Sequence, residues 1–142
     1  MKKTLITLTL LATLANADFT RSGDIVTDST TGLQWQDDAT AASTYLAWQG
    51  AIDHCENLTD FLGYSDWRLP NLNELKSIVD RSKSDPAIVG GFTNTSSNTY
   101  WSSTTHVDFT NIAWIVGFGN GDVGYNFGKD DSDYVRCVRA GE

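Results

Sequence analysis

The stretch SDWRLPNLNEL, Ser65 to Leu75, decides how the chain is built, because it turns an extended run into a helix within a few residues. Pro70 fixes its own φ and biases Leu69 toward extended backbone. Asn71, followed three residues later by Glu74, has the form of a capping box: Asn71 accepts from an early helical N–H and Glu74 reaches back to the cap. The spacing predicts a helix from about Leu72, with Leu72, Leu75, Ile78 and Val79 buried and Asn73, Lys76, Ser77 and Asp80 facing solvent. Trp67 and Leu69 alternate with Arg68, so two large apolar groups tuck beneath that helix. Arg68 reads as a guanidinium tying loop carbonyls or an aspartate together, with an anion contact as its alternative. The stretch is therefore a joint, and Trp67, Arg68, Leu69, Pro70, Asn71 and Glu74 are expected to act through structure.

Toward the N-terminus, Asp24–Asp28 and Leu33–Gln36 read as two strands of a hairpin closed by Ser-Thr-Thr-Gly, with Gly32 supplying positive φ. Thr44 caps a predicted helix running to about Leu58, which places Trp48, Ala51, Ile52, Cys55 and Leu58 on one face. Toward the C-terminus, Arg81 to Asn98 is a long irregular loop anchored by Ile88, Val89 and Phe92. Strands follow at Thr99–Thr104, Ala113–Phe118, Val123–Phe127 and Tyr134–Arg139, with Asn120-Gly121 as a hairpin turn. Two helices set against a small antiparallel sheet with long loops make an α+β fold.

The first seventeen residues, MKKTLITLTLLATLANA, have the basic start, short apolar run and small-residue cleavage site of an export signal, so Asp18 is the expected mature N-terminus and 18–142 a single domain. No later segment is a candidate membrane span, and the expected location is periplasmic or extracellular. Losing Lys2 and Lys3 takes the formal net charge from -8 to -10. So acidic a surface excludes nucleic acid and anionic lipid as partners. Cys55 and Cys137 are the two cysteines of the chain, and in an oxidising compartment a single pair reads as one disulfide.

That pairing removes both thiols from catalysis, while His54 and His106 have no second ligand at zinc spacing, and His54 reads as an exposed helix residue. No enzyme activity is expected. Asp130, Asp131 and Asp133, with Asn126 and Asp122, offer oxygens of the kind calcium takes, but not at EF-hand spacing, so the segment reads as a solvated acidic loop; no cofactor is expected, with calcium left open. Trp101 and Trp114 are expected in the core, with stacking on a sugar as the alternative.

TDSTTGLQWQ, the helix carrying Cys55, DWRLPNLNEL, YWSST, AWIVGF with its Asn-Gly turn, and VRCVR stand here in the order and spacing of the C-terminal domain of the Legionella collagen-like protein. The chain resembles that bacterial family over nearly all of its mature length, about Asp24 to Arg139. The family is similar to the C-type lectin-like fold, and RLPN resembles the RLPT segment of formylglycine-generating-enzyme-like domains. The resemblance implies a C-type lectin-like, exported, ligand-binding or adhesive domain, and a disulfide from first helix to last strand recurs in that fold. It does not carry over calcium-dependent sugar binding, since Leu69 precedes Pro70-Asn71 and Ser102-Ser103 follow Trp101, nor sulfated polysaccharide, given the acidic charge. Relatives diversify the last third of the chain, and a glycan or protein ligand is expected there, on Asn120, Asp122, Tyr125, Asn126, Lys129, Asp130 and Asp131, while Trp114, Val116, Phe118, Val123 and Val135 hold the sheet. The alternatives are an enzyme or metal-dependent accessory domain of the formylglycine-generating fold, or a structural envelope protein.

Overall fold

In the computed structural model, which describes residues 18–125 and 128–141, the N-terminal chain forms an antiparallel meander: β1 (Phe19–Ser22), β2 (Ile25–Asp28) and β3 (Gln34–Gln36). Val26 faces Trp35 across the β2–β3 ladder, and both are fully buried. Gly32, at φ +75°, closes the tight connection between them. The fourth strand of this sheet comes from the far end of the chain, where β9 (Val138–Arg139) pairs with β3. The expected export signal, residues 1–17, lies outside the described residues.

The second sheet has the order β4-β8-β5-β6-β7, from β4 (Tyr45–Ala47), β5 (Thr99–Thr105), β6 (Ala113–Gly117), β7 (Asp122–Gly124) and β8 (Ser132–Tyr134). Its pairings are antiparallel except for a single parallel one between Tyr100 and Tyr134. Two sheets thus replace the single sheet expected, and the segment Tyr134–Arg139 is not one strand: it leaves the second sheet at Tyr134 and joins the first at Val138. The division follows from burial, since Val135, Arg136, Cys137 and Val138 are all fully buried and are shared between the layers.

The first helix, α1 (Trp48–Glu56), starts later than Thr44. Tyr45–Ala47 pair with β8 instead, which sets the Tyr45 ring 5.2 Å from Tyr134 and gives the Thr44 carbonyl the N–H of Val135. Cross-strand partners remote in sequence here outweigh the helical period. Ala51 and Cys55 are buried, and Cys55 is bonded to Cys137 at a Cα separation of 5.4 Å. The bond closes a loop of 82 residues, worth about 4.5 kcal/mol in the chain-entropy account. His54 is half-buried rather than exposed, and burial pushes it below the ordinary histidine value, partly opposed by the charge of Asp38.

The second helix, α2 (Leu72–Ser77), carries the full capping box: Asn71 Oδ1 accepts from the Glu74 N–H at 2.8 Å and Glu74 Oε1 from the Asn71 N–H at 2.9 Å. Arg68 forks onto Glu74 with two 2.7 Å bonds, so the partner is a glutamate within the joint. The Arg68 backbone exchanges two hydrogen bonds with Val138, and the Pro70 carbonyl accepts from Ser103. WRLPN therefore fastens α2 to both sheets.

Successive residues of β5 enter different apolar clusters. Trp101 packs with Ile115, Trp67, Leu69 and the disulfide, whereas Tyr100 packs with Val116, Phe118, Leu75 and Trp35. The second sheet is thus covered on both faces. Arg136, fully buried, donates to Asp37 Oδ1 (2.9 Å), the Gln36 and Asn94 carbonyls and Thr95 Oγ1, tying the long loop between α2 and β5 to the first sheet.

Candidate functional site

With both faces of the second sheet covered, its exposed chemistry is confined to strand ends and connections. The connection from β5 to β6 is closed by the His106 N–H on the Ile112 carbonyl at 2.9 Å and the Ile112 N–H on the Phe109 carbonyl at 2.9 Å. His106 Nδ1 accepts from the Asp108 N–H at 3.2 Å, which fixes the ring edge-on to its own loop. The ring stacks on Trp114 at 5.1 Å and 23°, and lies 4.8 Å from Tyr125 and 5.2 Å from Phe109. Tyr125 meets Trp114 edge to face at 5.0 Å.

The histidine is buried under its neighbours, but they are not: Phe109 is 54% exposed, Tyr125 43% and Val107 86%. Trp114, expected to hold the sheet, is only half-buried. It shares the face of Val116 by strand alternation, yet it belongs to neither apolar cluster, and its ring packs on His106 and Tyr125.

The segment after β7 completes this surface. Gly128 bridges to Ile112, and the Lys129 N–H bonds the Asn111 carbonyl at 2.8 Å. Asp131 Oδ2 accepts from the Gly128 N–H at 3.0 Å, holding a turn on which Asp130 and Asp131 are exposed. Lys129 is engaged: its ammonium donates to Thr105 Oγ1 at 2.9 Å and sits 3.9 Å over the Trp48 ring.

Of the residues assigned to a ligand from sequence, Tyr125, Lys129, Asp130 and Asp131 are brought together around this aromatic patch. Asn120 and Asp122 are not, since they lie at the far end of the β6–β7 hairpin, bonded to each other by Asn120 Nδ2 to Asp122 Oδ2 at 2.6 Å. Asn126 lies outside the described residues. Sequence reasoning missed His106, Val107, Phe109 and Trp114 as members. The signal was present: HVDF places three apolar or aromatic rings and side chains in a short connection, where polar turn residues are the rule.

Asp133, on β8, is a second unusual group. It is 97% buried, as its 3% exposure states, with one oxygen taking the Thr99 hydroxyl and Oδ2 without a partner among the described residues. Burial pushes its carboxyl up to about 6, against the Thr99 bond and with help from the charge of Asp131. Among the described residues no group of three or more His, Cys, Asp or Glu is placed to hold a metal ion. What the patch offers chemically is stacking area beside carboxylates and backbone groups. A family model described as the Lcl C-terminal domain matches residues 24–139. No curated protein matches the chain.

Proposed function

The chain belongs to the Lcl C-terminal domain family, and from that premise we propose that it is an exported, non-catalytic ligand-binding or adhesive domain that holds a glycan or a protein against the aromatic patch. The observation carrying this reading is the set of exposed Val107, Phe109 and Tyr125 built around a buried His106 and a half-buried Trp114. Such a surface costs solubility unless it is covered by something. Rings pre-packed against one another lose little entropy when a sugar face or an apolar side chain stacks on them, and the carboxylates of Asp130 and Asp131 at the margin accept from hydroxyls or amides.

Export is supported by the buried disulfide, which persists in oxidising compartments. Absence of catalysis is supported by the same bond, which occupies both cysteines. A C-type lectin-like scaffold accords with helices and loops arranged about a doubly covered sheet.

The test is an array of glycans and proteins probed with residues 18–142, followed by titration of the hit against Phe109→Ala and Tyr125→Ala. Each variant should keep its stability within about 0.5 kcal/mol and weaken binding by tenfold or more, about 1.4 kcal/mol. A hit that binds both variants as it binds the parent would place the ligand elsewhere.

A further inference from the structure

The chain carries 18 acidic and 10 basic residues, so an unpaired cation is unusual on it. Eight lysines and arginines lie among the described residues. Arg21, Arg68, Lys83, Arg136 and Arg139 each have a carboxylate within 4.0 Å, and Lys129 rests on Trp48. The remaining two, Lys76 and Arg81, line the same groove, a space of about 500 Å³ walled by Val79, Gly121 and Val123. It runs between the end of α2 and the β6–β7 turn, at the opposite end of that hairpin from the aromatic patch.

The groove is built rather than incidental. Arg81 Nη2 donates to the Gly121 carbonyl at 3.1 Å, which leaves its other N–H groups unassigned. Gly121 sits at φ +85°, and a Cβ there would fall 2.6 Å from Val79 Cγ1 and 3.0 Å from Arg81 Cγ. The turn backbone therefore lies close against the arginine stem and the valine beside it, and the Gly121 carbonyl holds one edge of the exposed guanidinium at the groove. Among the described residues no carboxylate lies within 4.0 Å of it: Asp80 pairs with Lys83 and accepts from Ser82, and Asp122 accepts from Asn120.

The geometry points to this groove as a second binding site, for a single carboxylate carried on a short aliphatic group, as at the C-terminus of a peptide ending in valine. A planar carboxylate matches the fork of a guanidinium, with the Lys76 ammonium as a second, mobile donor. Val79 and Val123 supply apolar contact for the group that carries it. The excess negative charge elsewhere on the chain repels an extended polyanion, which selects for one charge at one place.

The experiment is fluorescence anisotropy with a labelled, otherwise uncharged peptide ending in Ala-Val, as the free acid and as the C-terminal amide, on residues 18–142 at low salt. The free acid should bind and the amide should bind roughly tenfold or more weakly, with Arg81→Gln lowering free-acid affinity by a similar factor. Lys76 is exposed, so Lys76→Gln keeps the fold and should weaken the free acid severalfold whatever Arg81→Gln does to stability. Equal binding of acid and amide, or no binding of the acid at about 1 mM, overturns the assignment. So does acid binding that survives both substitutions but is lost in Tyr125→Ala, which would place the carboxylate on the aromatic patch instead. Displacement of the peptide by inorganic sulfate as readily as by acetate would reduce the groove to a general anion site and equally refute it.

Discussion

Replacing Asp133 by asparagine should stabilise the protein at neutral pH, and the size of the gain follows from where the carboxyl sits. Its value is pushed from 3.8 to about 6 because burial opposes its ionised form. A folded-state value above the unfolded one means that the folded state holds its proton more tightly. Stability is therefore highest when the group is protonated, falls as pH rises from about 4 to 6, and stays reduced above that. A shift of about two units corresponds to about 3 kcal/mol of penalty at pH 7. Asparagine keeps an acceptor for the Thr99 hydroxyl, is nearly the same shape as the protonated acid, and never ionises. Its amide N–H₂ brings two donors to the Oδ2 position where the acid brings one, a cost that is the same at every pH, so the carboxyl alone sets the difference between the two pH values. Asp133→Asn should thus be more stable by up to about 3 kcal/mol at pH 7.5, up to about 10 °C in Tm for a domain of this size, with the gain smaller by about 2.5 kcal/mol at pH 4. Paired urea and thermal melts of the disulfide-intact proteins at the two pH values read this directly. A gain that persists unchanged at pH 4, or no gain at pH 7.5, would refute the claim that an uncompensated carboxylate is buried here.

Asp37→Ala should cost about 3 to 5 kcal/mol by chemical denaturation, because it leaves the fully buried Arg136 without its carboxylate. Burial pushes the Asp37 carboxyl up, but the Thr93 N–H, Arg136 and Arg21 outweigh it and hold the group below its ordinary 3.8, so its contribution is present above that pH and lost below it. Asp133 works in the opposite sense, so Asp133→Asn should move the pH of maximum stability upward from the parent's in a melting series, and an unmoved maximum would contradict the Asp133 assignment. Leu69→Ala should lower stability by about 2 to 4 kcal/mol, since Leu69 is 4% exposed beneath α2; an unchanged Tm with lost ligand binding would make WRLPN a site rather than a joint. Glu74→Ala removes the capping acceptor and the Arg68 partner together, for an expected loss of about 1 to 2 kcal/mol in the same assay, where no change would show the motif to be ornamental.

What could be read from the sequence is what local chemistry fixes. The capping box at Asn71 and Glu74, the turns at Gly32 and Asn120-Gly121, and the lone cysteine pair each depend on neighbours in the chain or on compartment, and the structure has each of them. The misreadings lie where remote partners decide. Tyr45–Ala47 follow the helical period on paper, but β8, which arrives almost ninety residues later, offers Leu46 a partner in Asp133 and Tyr45 one in Tyr134. YVRCVR alternates like one strand, yet the burial of all four central residues requires it to pass between layers. Trp114 is the instructive case. Its alternation with Val116 was legible, but whether a strand position lies over the core or beyond its edge is not a property of alternation, and that single difference moves the residue from scaffold to candidate site.

The same difference explains why the two candidate surfaces lie where they do. A sheet whose central strands bury Trp101 and Ile115 on one face and Tyr100 and Val116 on the other has no free face to give to a ligand. Chemistry is displaced to the two ends of β6 and β7, about 13 Å apart along the strand at the usual rise. At one end the loop from His106 to Ile112 folds over Trp114; at the other the turn at Gly121 lies close against Val79 and Arg81. Each end is held by packing that does not depend on the other, so substitutions at Phe109 or Tyr125 and at Lys76 or Arg81 should combine additively in stability and in binding. A coupling well above about 0.5 kcal/mol between Tyr125→Ala and Lys76→Gln in a double-mutant cycle would mean that the hairpin transmits strain between its ends, and that the covered sheet is less rigid than its packing implies.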